Sequence, residues 1–255
     1  MEVILVPAFA DNYIYVLRDA ASGKVGVVDP GEAGPVQAAL ERRGWTLTHI
    51  LLTHHHDDHI GGAAELKARY RATVIGARAD AHRIPDLDVA LGDGDRTMFG
   101  EQTARVMAVP GHTSGHIAFW FEGAESLFCG DTLFSLGCGR LFEGTPAQMW
   151  QSLQDLRALS PSTRIYCGHE YTLSNGRFAL TVDPDNGALR ERMDEVTALR
   201  DRGQPTIPTT IGLERRTNPF LRADDPAVQA AVGMAGVPAV EVFAELRRRK
   251  DHFRG

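Results

Sequence analysis

Apolar residues come in two spacings along this chain, and the balance between them shifts with position. In the first two-thirds, short runs rich in β-branched and aromatic residues alternate with stretches of helical period. Residues 2–6 and 13–17, separated by "AFADN", predict a hairpin-like strand pair. "KVGVVDPG" (24–31) predicts a third strand that stops at Pro30-Gly31, and Val36, Ala39 and Leu40 give 34–45 a helical spacing. A buried strand over 48–53, a helix over 62–70 and a strand over 72–77 follow. The span 104–121 reads as strand, loop at 110–115, then strand. Strands over 126–134 and 164–171 each end in a polar residue just after a glycine, with a helix over 145–159 between them. Thr145 is its expected N-cap and Pro146 its first residue. Alternating strands and helices with polar residues beyond the strand ends predict an α/β fold whose site is built from loops.

Beyond residue 172 the pattern changes. Helices are expected over 184–203, 224–233 and 238–250, and 204–222 is a Pro- and Thr-rich connection with no convincing strand. The expected organisation is a catalytic domain over 1–172 and a small helical domain over 173–255.

Composition narrows the class. The chain has 255 residues, 43% hydrophobic and 24% charged, as in ordinary soluble globular proteins. Its net charge of -6 argues against non-specific nucleic-acid binding, and bound divalent cations would offset much of it. Cys129, Cys138 and Cys167 form no CxxC pair and cannot all pair within one chain, which favours a reducing compartment. The apolar N-terminus lacks a basic lead-in and a small-residue cleavage site, so it reads as a strand. A cytoplasmic monomer, with neither membrane nor nucleic-acid partner, is the expectation.

The densest chemistry lies in "LLTHHHDDHIGG" (51–62), where four histidines and two aspartates follow an apolar run. Unpaired carboxylates would not be tolerated in a core, so a cation among them is the simplest explanation. Strand alternation would turn His54 and His56 to one side and His55 to the other, with Asp58 and His59 following at the turn. His112 in "VPGHTSGH", Asp131 in "FCGDTLF" and His169 in "YCGHEYT" each follow an apolar strand and a glycine. His49, His55, His82 and His252 read as ordinary histidines, and His116 as a packing or supporting residue. Imidazole plus carboxylate without thiolate suits zinc, with iron or manganese also fitting. Two divalent ions divide the set naturally: His54, His56 and His112 on one, Asp58, His59 and His169 on the other, with Asp131 bridging. Open positions would remain for a water acidified into a nucleophile, so Asp58 and Asp131 belong to the expected catalytic centre.

"THHHDDHIGG", "PGHTSGH", "GDTLF" and "GHEYT" resemble the metallo-β-lactamase superfamily, which implies an αββα sandwich with a dinuclear site. "VPAFADNYIY", "VVDPG", "GCGRLFEGT", "CGHEYT", "NPFLR" and "RRRKDHF" resemble glyoxalase II, the hydroxyacylglutathione hydrolase family, from end to end. That resemblance implies the same seven ligands and an Asp29 that supports them. It also implies glutathione contacts at Arg140, Phe142, Tyr171, Arg247 and Lys250. The family often has Lys and Tyr where this chain has Arg140 and Phe142, so a hydroxyl is missing at 142. The implied reaction is hydrolysis of S-lactoylglutathione to D-lactate and glutathione in methylglyoxal detoxification. The leaving thiolate departs with little protonation, and no serine or cysteine nucleophile is required. A mononuclear-iron persulfide dioxygenase of the same fold is the alternative, needing only His54, His112 and Asp131. The second half-set, His169 above all, and the helical C-terminal region favour the hydrolase.

Overall fold

The computed structural model describes residues 1–254, which form two compact units. The first comprises Met1–Val109 and Ser114–Gly130. Its N-terminal hairpin pairs β1 (Glu2–Ala8) with β2 (Asn12–Arg18) in unbroken register from Glu2↔Arg18 to Ala8↔Asn12. β3 (Val25–Val28) continues the sheet antiparallel to β2. Beyond it the order is maintained by crossovers: α1 (Ala33–Glu41), β4 (His49–Leu51), the single turn α2 (Asp57–Ile60), α3 (Ala63–Tyr70), β5 (Thr73–Ala77) and β6 (Val89–Leu91). β3 to β6 pair in parallel, which is why β3, β4 and β5 read as continuous apolar runs rather than alternating ones. Val36, Leu40 and Leu66 of the helices bury their side chains with Val27, Ile50 and Val74 of the sheet.

The second sheet of this unit is an antiparallel meander of β7 (Arg96–Phe99), β8 (Gln102–Ala108), β9 (Ile117–Phe121) and β10 (Ser126–Gly130). It faces the first sheet edge-on through aromatic rings, Tyr15 against Phe128 at 5.6 Å and His49 against Phe99 at 5.5 Å. Each such pair contributes roughly 1 kcal/mol beyond its buried area.

The second unit comprises Pro110–Thr113 and Asp131–Gly255, of which residue 255 lies outside the description. A small ribbon of β11 (Leu133–Phe134) and β12 (Gly137–Cys138) leads to α4 (Pro146–Arg157). The Thr145 side chain caps α4 and closes a reciprocal capping box with Gln148. Then come β13 (Arg164–Cys167), α5 (Thr172–Val182), α6 (Gly187–Asp201), β14 (Thr209–Thr210), α7 (Ile211–Thr217), α8 (Pro226–Ala231) and α9 (Ala239–His252). Trp150, Phe243, Phe220 and Phe178 link α4, α9 and α5 through successive ring contacts near 6 Å.

The second compact unit takes in α4 together with the C-terminal helices. α4 belongs with the C-terminal helices because Trp150 packs on Phe243 and Arg157 bonds the Leu221 carbonyl and Asp224. Pattern reading also misses β6, β7, α5, α7 and β14. α5 ("TLSNGRFALTV") has poor helix formers, yet its Phe178, Ala179 and Val182 face is buried, so packing overrides propensity. β14 contradicts the strand-free reading of 204–222, since Thr209 and Thr210 pair with Ile165 and Arg164. α1 stops at Glu41, short of the expected end at Gly44. No helix among the described residues is long and apolar enough to cross a membrane.

Candidate metal centre

In the first unit the histidine-rich segment begins where β4 ends. Thr53 and His54 lie in a bend and His55 and His56 belong to no strand, so strand alternation does not set these side chains. Asp29 does much of that work. It sits just past β3 at φ 50°, a left-handed conformation costing on the order of 1 kcal/mol for a non-glycine residue. Its amide donates to Leu51 O, which fixes it beside β4. Its Oδ1 accepts the Thr53 amide at 2.8 Å, and its Oδ2 accepts the Thr53 hydroxyl at 2.7 Å and His59 Nδ1–H at 3.1 Å. Both carboxylate oxygens are thus engaged, and Asp29 holds its neighbours rather than offering a free donor.

Since the Thr53 hydroxyl donates to Asp29, its oxygen accepts from His54 Nδ1 at 3.0 Å. His54 and His59 are therefore each held at Nδ1, which leaves Nε2 facing outward from the anchor. His54 Nε2 lies 3.1 Å from His56 Nδ1, and His59 Nε2 lies 3.5 Å from Asp58 Oδ2. Asp58 is itself oriented by Asn12, whose Nδ2 donates to Oδ2 at 2.9 Å and to the Asp58 carbonyl at 3.3 Å. The glycines of "IGG" serve close approach here. Gly61 and Gly62 have ordinary negative φ, but a Cβ on either would meet the backbone of residues 30–33 within 2.8 Å.

The second unit presents donors of the same kind. His112 Nδ1–H donates to the Arg140 carbonyl at 2.9 Å, so its Nε2 carries the ring's lone pair, 3.4 Å from Asp131 Oδ2. The same oxygen lies 3.2 Å from His169 Nε2. A carboxylate oxygen and an imidazole lone pair repel at such distances unless a cation is shared between them, a proton or a metal ion. Asp131 presents one oxygen to two rings at once, and that is the geometry a bridging carboxylate needs. His112, Asp131 and His169 are all buried. The loop bearing His112 is held by Phe142 N–H to His112 O, Gly144 N–H to Gly111 O and the Ser152 hydroxyl to Pro110 O. His169 stacks on Tyr171, ring centroids 4.7 Å apart and nearly parallel. Nitrogen and oxygen donors without thiolate fit divalent metal ions, so the His and Asp clusters pass the chemical test for such a centre.

The remaining expected residues separate into exposed and buried. Phe142 is 62% exposed, its ring edge-on to His112 at 5.1 Å. Arg140 extends toward solvent with Asp251 at 3.8 Å, and Tyr171 is partly exposed. Lys250 donates to Ser174 Oγ at 3.0 Å and lies over the Phe253 and Phe178 rings. Burial, then the charges of Arg247 and Arg140, push its ammonium down to about 8. Arg247, a further expected glutathione contact, is buried. It is 5% exposed, bonded to the Cys138 carbonyl at 2.8 Å and to Asp251, and stacked over Phe220. All three cysteines are buried and outside any disulfide, and burial pushes the Cys138 thiol up to about 11, so it is no nucleophile at neutral pH.

Asp80, Asn12 and Thr53 escape sequence reading, whereas His116 and His55 do not. His116 stacks on His54 at 4.5 Å, its Nδ1 bonded to Ile117 O. His55 faces Asp80 at 3.3 Å, and Asp80 also takes Arg83. Asn12 carries a faint signal: a polar residue with strand neighbours on its C-terminal side, inside the quoted "ADNYIY". Thr53 carries none.

The chain resembles known proteins along its whole length. A family model described as "Metallo-beta-lactamase superfamily" matches residues 9–169, and one described as "Hydroxyacylglutathione hydrolase C-terminus" matches residues 170–253. The chain is 57% identical over 255 residues to the hydroxyacylglutathione hydrolase of Methylococcus capsulatus, covering 100% of both. Among solved structures it is similar to ETHE1 from Myxococcus xanthus, with TM-score 0.70, 26% identity, and 97% and 90% of the two chains covered. It is similar also to TTHA1623 in a di-iron-bound form, with TM-score 0.60, 26% identity, and 86% and 100% covered.

Proposed function

This chain belongs to the metallo-β-lactamase superfamily and, within it, to the hydroxyacylglutathione hydrolases; from that premise we propose that it cleaves the thioester of S-(2-hydroxyacyl)glutathione, typified by S-lactoylglutathione, to a 2-hydroxy acid and glutathione. D-lactate is the acid formed from the typical substrate, which places the reaction in methylglyoxal detoxification.

The seven proposed metal ligands are His54, His56, Asp58, His59, His112, Asp131 and His169, and a single family model spans them all. The observation that carries the reading is Asp131 Oδ2, which faces His112 and His169 together. His112 with His54 and His56 would hold one ion, His169 with Asp58 and His59 the other, and Asp131 both. The di-iron form of TTHA1623 supports a two-ion centre. Zinc is the proposed metal, and iron or manganese would fit the same donors. Two such ions, when bound, would supply Lewis acidity toward a carbonyl and would acidify a water near neutral pH.

The protein's own groups do the rest. Asp29, Thr53 and the Arg140 carbonyl hold three imidazoles at Nδ1, so that Nε2 stays directed at the ligand positions. Lys250 and Arg140 supply positive charge for the glutathione carboxylates, and Tyr171 supplies a hydroxyl. Phe142 offers an apolar surface where a hydroxyl is absent. Arg247 acts on this region through the Cys138 carbonyl, which it holds in place. The mononuclear-iron dioxygenase is the weaker alternative, since 57% identity over the whole chain is to a hydrolase.

Elemental analysis of the purified chain, combined with S-lactoylglutathione hydrolysis followed by thioester absorbance, tests the reading. Two ions per chain and turnover are expected. One ion at full occupancy under metal-replete conditions, with oxygen consumed on glutathione persulfide, would replace it with the dioxygenase.

A further inference from the structure

The turn of the β11–β12 ribbon is held by side chains that touch no proposed ligand or substrate position. Leu136 lies in this turn at φ 59°, a region disfavoured for a branched side chain, and it is fully buried. Its amide donates to Glu214 Oε2 at 2.8 Å. Asn218 Nδ2 donates to the Phe134 and Gly137 carbonyls at 3.2 and 3.0 Å, and Asn175 Nδ2 to the Ser135 carbonyl at 3.1 Å. Glu214 and Asn218 are themselves fully buried and bonded to each other at 3.0 Å, and Thr209 donates to the other Glu214 oxygen. Burial raises the Glu214 pKa, which marks how costly this carboxylate is to keep there. A leucine core would be cheaper, so the arrangement calls for a reason beyond packing.

The reason lies at the ribbon's two ends. β11 begins just after Asp131-Thr132, and β12 leads directly into Gly139-Arg140. The two ends are pressed together: Gly139 N–H donates to Thr132 O at 3.1 Å, and a Cβ on Gly139 would lie 1.9 Å from Asp131 O. One end carries the Asp131 carboxylate, and the other carries the carbonyl that fixes His112. Tilting the turn would swing both.

We propose that Glu214 and Asn218, with Asn175, form a positioning clamp that sets the orientation of the Asp131 carboxylate and the His112 ring through the backbone of residues 131–140. The clamp gives "NPFLR" a role, since Asn218 is its first residue. It makes the helical C-terminal region a determinant of metal binding as well as of substrate binding. The inference rests on the two-ion reading above.

The test uses the full-length chain and zinc alone, with affinity read by competition against a chromophoric chelator, alongside kcat and KM for S-lactoylglutathione. Glu214→Ala and Asn218→Ala should each weaken zinc binding at least about tenfold and lower kcat comparably, with KM unchanged. Glu214→Gln, which keeps an acceptor for the Leu136 amide, should restore both. Hydrogen exchange at the Leu136 amide should accelerate in Glu214→Ala and stay slow in Glu214→Gln. If the alanine variants fail to fold, Asn175→Ala, which removes one bond at the turn, should show the same kcat-only loss at a few-fold level. Folded Glu214→Ala or Asn175→Ala with parental zinc affinity and kcat overturns the clamp. A parent chain that binds fewer than two zinc ions overturns the two-ion reading itself, and the clamp with it.

Discussion

In the 53–59 segment of the first unit four proposed ligands crowd into six residues, whereas His112, Asp131 and His169 of the second unit stand far apart in the chain. Two of the crowded set, His54 and His59, are oriented by one buried carboxylate, Asp29, which reaches both Thr53 and His59, while Asn12 orients Asp58. The scattered set is oriented by backbone and by stacking: the Arg140 carbonyl on His112, the Tyr171 ring on His169, and the clamped ribbon behind Asp131. A dense cluster can share one anchor because its members move together. Donors from separate elements each need their own, and those anchors are drawn from wherever the fold brings backbone close.

The largest effect is expected at Asp131, which lies far from the other proposed ligands in sequence. Asp131→Ala should release at least one ion and lower turnover by several orders of magnitude, measured by elemental analysis and initial rates. A variant that keeps two ions would remove the bridging role. Asp29→Ala probes the shared anchor. It should weaken metal binding about 10- to 100-fold by freeing His54 and His59 together, and it leaves the Thr53 amide unsatisfied at about 1–3 kcal/mol of stability. If chelator competition shows only one ion affected, the first unit is not anchored as a single cluster.

Lys250 sharpens the contrast on the substrate side. Its folded pKa is lowered to about 8, so the charged form prevails below that pH and is lost as pH rises through it. KM for S-lactoylglutathione should be flat at lower pH and climb above about 8 as the substrate carboxylate loses its cation. Lys250→Arg should abolish the climb, and Lys250→Ala should raise KM roughly tenfold at neutral pH. A pH-independent KM in the parent would remove Lys250 from the substrate site. The smallest effect belongs to His55, inside the dense cluster yet turned to Asp80. His55→Ala should keep both ions and cost at most about 1 kcal/mol, read by thermal unfolding and metal content. Loss of an ion would show that the cluster is not divided as its hydrogen bonds suggest.

Chain order and residue type were enough to mark the dense cluster, because its donors are adjacent and follow a strand. They singled out Asp131 and His169 as proposed ligands too, since each follows an apolar strand and a glycine. The α/β alternation and most helices were legible for a related reason: periodicity is a local property. Tertiary structure alone decided which charges of "RRRK" are buried. Arg247 and Lys250 look alike in sequence, but Arg247 meets Cys138 and Phe220 while Lys250 stays half-buried beside Ser174. Glu214 was equally hidden, since "GLERRTNPF" reads as an ordinary helix with a charge until the Leu136 amide is found against it. A buried polar group is defined by its partners, and partners 78 to 109 residues away leave no trace in local spacing.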